Sequence, residues 1–245
     1  MALPASGNPL SLSQIQGEFG GSAPTSLREY YSAATGVPSL GSPLSISDFY
    51  GTSNVVSFTY TIQAAGGAGG YGMSDGGGSG NAASGGNTSI SGAGMTTVSV
   101  TGGAGGANGV SLWNDDSQRA GEASFYGAGG AGGANDSNQP GQAPNPSHYG
   151  AGGGGGGSDA DSKVPPDNDG AGGIGGSAGG RSAGQTVTVP SGTTITVTVG
   201  SGGVGTGVPL SQGRNGGSGA DGVAFINYNG TTTTYNAGTH TITLN

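Results

Sequence analysis

Few side chains in this 245-residue chain could make or break a covalent bond. There is no cysteine, and a nucleophilic triad would have to recruit one of the two histidines, His148 or His240. Neither stands in a motif that pairs an imidazole with a serine and a carboxylate. His240 alternates with threonines in a strand-like stretch and is expected to face solvent. Two carboxylates suffice for a glycosidase. Cleaving a polymer, however, calls for a long concave β surface, and the apolar content is too low to build one. The chain therefore reads as a non-enzyme.

Two patterns could hold a cation. Asp159, Asp161, Asp167 and Asp169 crowd one segment, and hard cations prefer several carboxylate oxygens. Pro165-Pro166 interrupts them and no acidic residue closes a regular loop, which favours a solvated acidic loop, with a bound divalent cation as the alternative. Residues 216–224 fit one calcium-binding nonapeptide, yet such sites arise by stacking tandem copies and only one is present. Asp221 is thus read as a hydrogen-bonding residue leading into a strand, again with calcium as the alternative. Gly200-Ser201-Gly202-Gly203-Val204-Gly205 has the spacing of a dinucleotide loop, but that loop must open a helix. Thr206, Gly207, Val208 and Pro209 follow instead, so the match is rejected and no cofactor is expected.

Recognition finds better material. Trp113, Asn114, Arg119, Phe125, Tyr126, His148 and Tyr149 lie in segments between glycine runs. Aromatic and arginine side chains supply rigid area and directed hydrogen bonds at interfaces, and aromatic faces stack on sugars. The alternative for Phe125, Tyr126 and Tyr149, which border glycine runs, is that they cap the ends of those runs.

The runs themselves dominate the chain: 60 residues are glycine. Gly66-Gly67-Ala68-Gly69-Gly70 recurs as Gly102-Gly103-Ala104-Gly105-Gly106 and Gly129-Gly130-Ala131-Gly132-Gly133, with a relative at 172–176 and unbroken glycine at 152–157. A period of three matches the extended three-residue-per-turn helix. With two of three side chains reduced to hydrogen, backbones can approach closely on several sides. Collagen has the inverse pattern, one glycine per triplet and abundant proline. Side-by-side helices bonded to one another, each triplet's lone side chain on an outward edge, account for the inversion. Only 7% of residues are charged and the net charge is −8, so charge repulsion does not enforce disorder. The balance is wrong for nucleic acid, the start lacks a signal-peptide pattern, and no stretch approaches a membrane span.

Residues 1–52 differ. Ser13 to Gln16, Ser26 to Glu29 and, more loosely, Ser45 to Asp48 fit the capping box and predict two or three short helices. Pro9-Leu10-Ser11-Leu12-Ser13 is echoed by Pro43-Leu44-Ser45-Ile46-Ser47, and each copy runs on to an aromatic and a glycine. Strands are expected at 54–62 and 96–101, as a hairpin at 186–190 and 194–199, and as a meander at 223–228, 231–235 and 239–244 turned by Asn229-Gly230.

The opening Leu3-Pro4-Ala5-Ser6-Gly7 with Pro9 to Ile15, and the close Gly41 to Gly51, resemble the start of structural proteins of tailed-phage virions. The glycine-rich body ending at 216–228 is similar to tail-fibre domains and to tail-tip adhesins whose polyglycine-II helices form a sandwich displaying host-binding loops. The resemblance implies a mainly β and irregular fold. Residues 1–52 would be a short-helix module that attaches to other virion proteins. Residues 53–245 would be a body of polyglycine-II helices framed by β-strands. It implies a tail fibre or adhesin, made in the host cytoplasm, that contacts a host polysaccharide or outer-membrane protein as a homo-oligomer, a trimer being the candidate form. Membrane insertion is not expected. A capsid or tail decoration protein without host contact is the alternative.

Overall fold

The computed structural model describes residues 2–23, 25–34, 36–71, 81–108, 120–133, 140–156, 173–205 and 215–245. Among these residues the fold is mainly β and irregular, with one short α-helix, two 3-10 turns and eight strands.

Helix α1 (Leu12–Phe19) starts two residues earlier than the Ser13 box suggests. Ser11 is the cap: its N–H donates to Gln14 Oε1 at 2.8 Å, and Gln14 N–H donates to Ser11 Oγ. That choice turns Ile15 into the module's core. The other two boxes form as expected, opening the 3-10 turns Leu27–Tyr30 and Ile46–Phe49, with Ser26 N–H on Glu29 Oε1 and Ser45 N–H on Asp48 Oδ2. The echoed segments converge. Phe19 and Phe49, one from each copy, meet edge-on at 6.0 Å, and Tyr30 joins Phe49 at 6.1 Å. Leu3, Ile15, Tyr30, Val37 and Phe49 form a small buried cluster of their own.

The body holds two four-stranded antiparallel sheets. One has the order β4 (Arg181–Pro190), β1 (Val55–Gln63), β6 (Val223–Tyr228), β7 (Thr231–Tyr235). The other has the order β3 (Val98–Val100), β2 (Thr88–Gly92), β5 (Thr193–Val199), β8 (Gly238–Leu244). Alternation decides which face is buried. Phe58, Tyr60 and Ile62 of β1 share one core with Ile226 of β6, Ile90 of β2 and Ile195 and Val197 of β5. Hydroxyls take the outer faces: Thr194, Thr196 and Thr198 stand opposite Thr243, Thr241 and Thr239.

Two expected pairings fail. Strands β4 and β5 do not form a hairpin; they lie in different sheets, each pairing with distant partners. The Ser191-Gly192 link is held from outside, by Asn54 O and Leu244 O, and so it crosses between layers. Likewise β8 leaves the meander to pair with β5, while β6 and β7 form the expected hairpin. Asn229 and Gly230 there both take positive φ (51° and 75°), the requirement of a type I′ turn.

The glycine runs continue the strands. Residue 63 of β1 leads into 64–70; 87, 180 and 222 immediately precede β2, β4 and β6, and 101 and 200 follow β3 and β5. In 64–70 successive amides point to three neighbours in rotation. Ala64, Gly67 and Gly70 donate to Gly180, Ser177 and Ile174. Ala65 and Ala68 donate to Gly86 and Ala83, and Gly66 and Gly69 to Ala220 and Gly217. Carbonyls of the same segment accept from 101–107, 150–156 and 200–205, through Gly103, Gly106, Gly153, Gly156 and Gly203. This segment is therefore a hub inside six neighbours, and each of its residues is buried. Three-fold rotation of bonds, donated to antiparallel neighbours and accepted from the parallel segments 101–107 and 150–156, is the polyglycine-II arrangement the period of three suggested. Segment 151–156 is a second buried hub, bonded to Glu122, Gln142, Gly130, Gly133 and three of the other segments.

At the periphery, side chains accept amide bonds where a neighbouring backbone would do so inside the array. Asn87 Oδ1 and Ser84 Oγ accept from Gly102 and Gly105 N–H; Asp221 Oδ1 and Ser218 Oγ accept from Gly202 and Gly205 N–H. Both pairs keep the three-residue spacing. Lone non-glycine residues on outer segments, such as Thr101, Ala104, Ser201 and Val204, are exposed. In the hub only alanine fits, and Ala65 and Ala68 are buried.

Candidate functional site

The segment 120–127 ends in a tight turn in which Ser124 and Gly127 exchange backbone hydrogen bonds and Ser124 Oγ accepts from Tyr126 N–H. Gly127 sits at φ 154°, and a Cβ there would lie 2.3 Å from the His148 ring. Glycine thus lets the imidazole close on the turn, where His148 Nδ1 bonds Ala128 O at 2.9 Å. A second turn, built on Asn145, presents Tyr149: Asn145 Oδ1 accepts from Ser147 N–H, and His148 N–H donates to Asn145 O.

Together these turns carry an aromatic platform. The Tyr126 ring lies 5.2 Å from Phe125, 5.8 Å from Tyr149 and 5.8 Å from Phe225, and Tyr149 also meets Phe225 edge-on. Phe225 projects from the outer face of β6, where its cross-strand partners are Thr61 and Thr234. The Arg181 guanidinium, at the start of β4, stacks 3.7 Å from the Phe125 centroid. Phe125 is nonetheless 71% exposed. Ring–ring packing of this kind contributes about 0.5–1.5 kcal/mol per pair and an exposed cation–π contact about 0.5–1. The cluster is thus held in place while its outer ring stays open.

Beside Tyr149 lies a cleft of about 500 Å³, lined by Pro144, Pro146, Tyr149, Ala220, Asp221 and Asn236 among others. Asp221 is the one acid among its described lining residues. Among the described residues no three metal-ligating side chains gather anywhere.

Of the sequence candidates, Tyr126, His148 and Tyr149 come together, with Phe125. His148 braces the turn and does not project from it. Trp113, Asn114 and Arg119, and the acidic residues Asp159, Asp161, Asp167 and Asp169, lie outside the described residues. Arg181 and Phe225 complete the platform and were not anticipated. Both had a signal: Arg181 is one of only five basic residues, and alternation with Ala224 and Ile226 turns Phe225 outward. The rejected dinucleotide motif is an array segment, Gly203 N–H bonding Gly66 O.

No described helix is long and apolar enough to cross a membrane. No family model, curated protein or solved structure matches the chain.

Proposed function

We propose that this chain is a non-enzymatic structural protein of a tailed-phage virion, a tail fibre or receptor-binding adhesin. Residues 1–52 attach it to other virion proteins; exposed Leu40 and Ile46 are available apolar contacts there. The glycine array holds recognition surfaces at fixed positions. The observation that carries the reading is the platform of Phe125, Tyr126, Tyr149, Phe225 and Arg181, an open aromatic and cationic surface fixed to a rigid lattice. Such side chains dominate binding energy at interfaces, and several copies on one particle multiply a modest affinity.

Adsorption tests it. Purified protein should bind susceptible cells and compete with the phage for them. The pair Phe125→Ala and Arg181→Ala should reduce that competition while leaving the melting temperature near wild type. Absence of cell binding by the intact protein, together with label on the capsid lattice and none on the tail, would replace the reading with the decoration protein.

A further inference from the structure

We infer that the cleft beside Tyr149 is a saccharide site, taking a neutral, hydroxyl-rich sugar unit of a surface glycan. The inference rests on the adhesin reading for its biological sense and on the cleft for its chemistry.

At about 500 Å³ the cleft has the size of a small-ligand site. Pro144, Pro146 and the half-buried Tyr149 line it together with Gly219 and Ala220. Three residues with polar side chains also line it, Asp221, Asn236 and Tyr149. Asp221 Oδ1 accepts from Gly202 N–H at 2.8 Å; among the described residues Oδ2 has no partner. Among the described residues the Asn236 side-chain amide and the Tyr149 hydroxyl are also without hydrogen-bond partners, while the Asn236 backbone carbonyl bonds His240 Nε2.

The chemistry narrows the ligand. An unpaired carboxylate oxygen accepts from hydroxyls, and an amide both donates and accepts. An aromatic wall packs against the C–H face of a pyranose. A carboxylate with no cation among the described lining residues disfavours phosphates and acidic sugars. The site is also rigid. Gly219 N–H bonds Gly203 O, Ala220 N–H bonds Ala151 O, and Gly150 N–H bonds Asp221 O. Lattice segments 150–156 and 200–205 thus hold Gly219, Ala220 and the Asp221 carboxylate before any ligand arrives, and little ordering cost remains on binding.

The test uses polysaccharide released by mild acid from susceptible cells, added to the full-length protein. Saturation-transfer NMR detects contact and calorimetry measures affinity. Wild type should show transfer to sugar protons. Asp221→Asn keeps the bond to Gly202 and removes the charge-assisted acceptor, so it should bind roughly tenfold more weakly or worse. Asn236→Ala touches no hydrogen bond made by that side chain among the described residues and should also weaken binding with an unchanged melting curve. No transfer from wild type, or transfer and affinity unaltered in both variants, overturns the site. If that happens while the protein still blocks adsorption, the adhesin reading stands without it. Sugar binding by a protein that ignores cells would retain the site and remove the adhesin.

Discussion

Replacing Gly67 with alanine adds one methyl group and should cost a large part of the fold's stability. The new Cβ would stand 2.0 Å from Ala104 O and 2.4 Å from Ala104 C, against 3.4 Å or more for ordinary contact. Segment 101–107 would have to retreat by about 1.4 Å. It is tied to the hub by Gly103 N–H to Ala65 O and Gly106 N–H to Ala68 O, each 2.8 Å. Retreat stretches both beyond bonding range within a buried site. An unsatisfied buried group costs about 1–3 kcal/mol, so the two bonds together come to about 2–6 kcal/mol. Globular proteins hold only about 5–15 kcal/mol in total. For a chain of this size the melting temperature should fall by on the order of 10 °C. Calorimetry on purified Gly67→Ala measures this directly. A melting point within about 2 °C of wild type would show that the neighbouring backbone is not where the structure puts it.

The same substitution should have the opposite sign at Gly17, inside α1, where a Cβ meets nothing within 4 Å; Gly17→Ala should stabilise by about 0.5–1 kcal/mol in denaturant titration, and a loss would mean α1 is not a helix. Gln63 is buried with Nε2 on Gly179 O at 2.6 Å and with Oε1 unpartnered, so Gln63→Glu at neutral pH should place a carboxylate against carbonyls and destabilise the protein. Burial raises the new acid's pKa, so the loss should shrink as pH falls and the protonated acid donates to Gly179 O; melting curves with the wild-type pH dependence would contradict this. Burial, and secondarily the Glu29 charge, push the Tyr30 phenol above its ordinary value. The folded module binds that proton more tightly, so its stability should be complete below about pH 10 and decline as pH rises through the raised value. Ultraviolet titration should find one tyrosine ionising after the exposed ones, absent in Tyr30→Phe; ionisation of all tyrosines together would refute it.

Local signals were legible where a single residue type decides the geometry. Asn229-Gly230 specified its hairpin because both positions need positive φ, and Ser26 and Ser45 specified their helix starts. The lattice was legible because two glycines per triplet leave few other uses for the backbone. Partner choice was not. Nothing in Thr186 to Val199 distinguishes a hairpin from a crossing, because outward threonines and inward valines look alike in either sheet. The decision falls to distant groups, Asn54 O and Leu244 O, that hold the turn. The platform was half legible for the same reason: Tyr126 and Tyr149 announce themselves beside glycine runs, whereas Arg181 and Phe225 join only through β4 and β6. Asp221 was read correctly as a hydrogen-bonding residue, but its role as a stand-in for a neighbouring backbone appears only once the lattice is complete.

Amide exchange in segment 64–70 tests the lattice most directly, because that segment has almost no side chains to protect it. Read by NMR at neutral pH, the amides of Gly66, Gly67, Gly69 and Gly70 should exchange as slowly as those of Phe58 and Ile226 in the sandwich core. Exchange of these four glycines at the rate of an open chain, with the core strands still protected, would contradict the account.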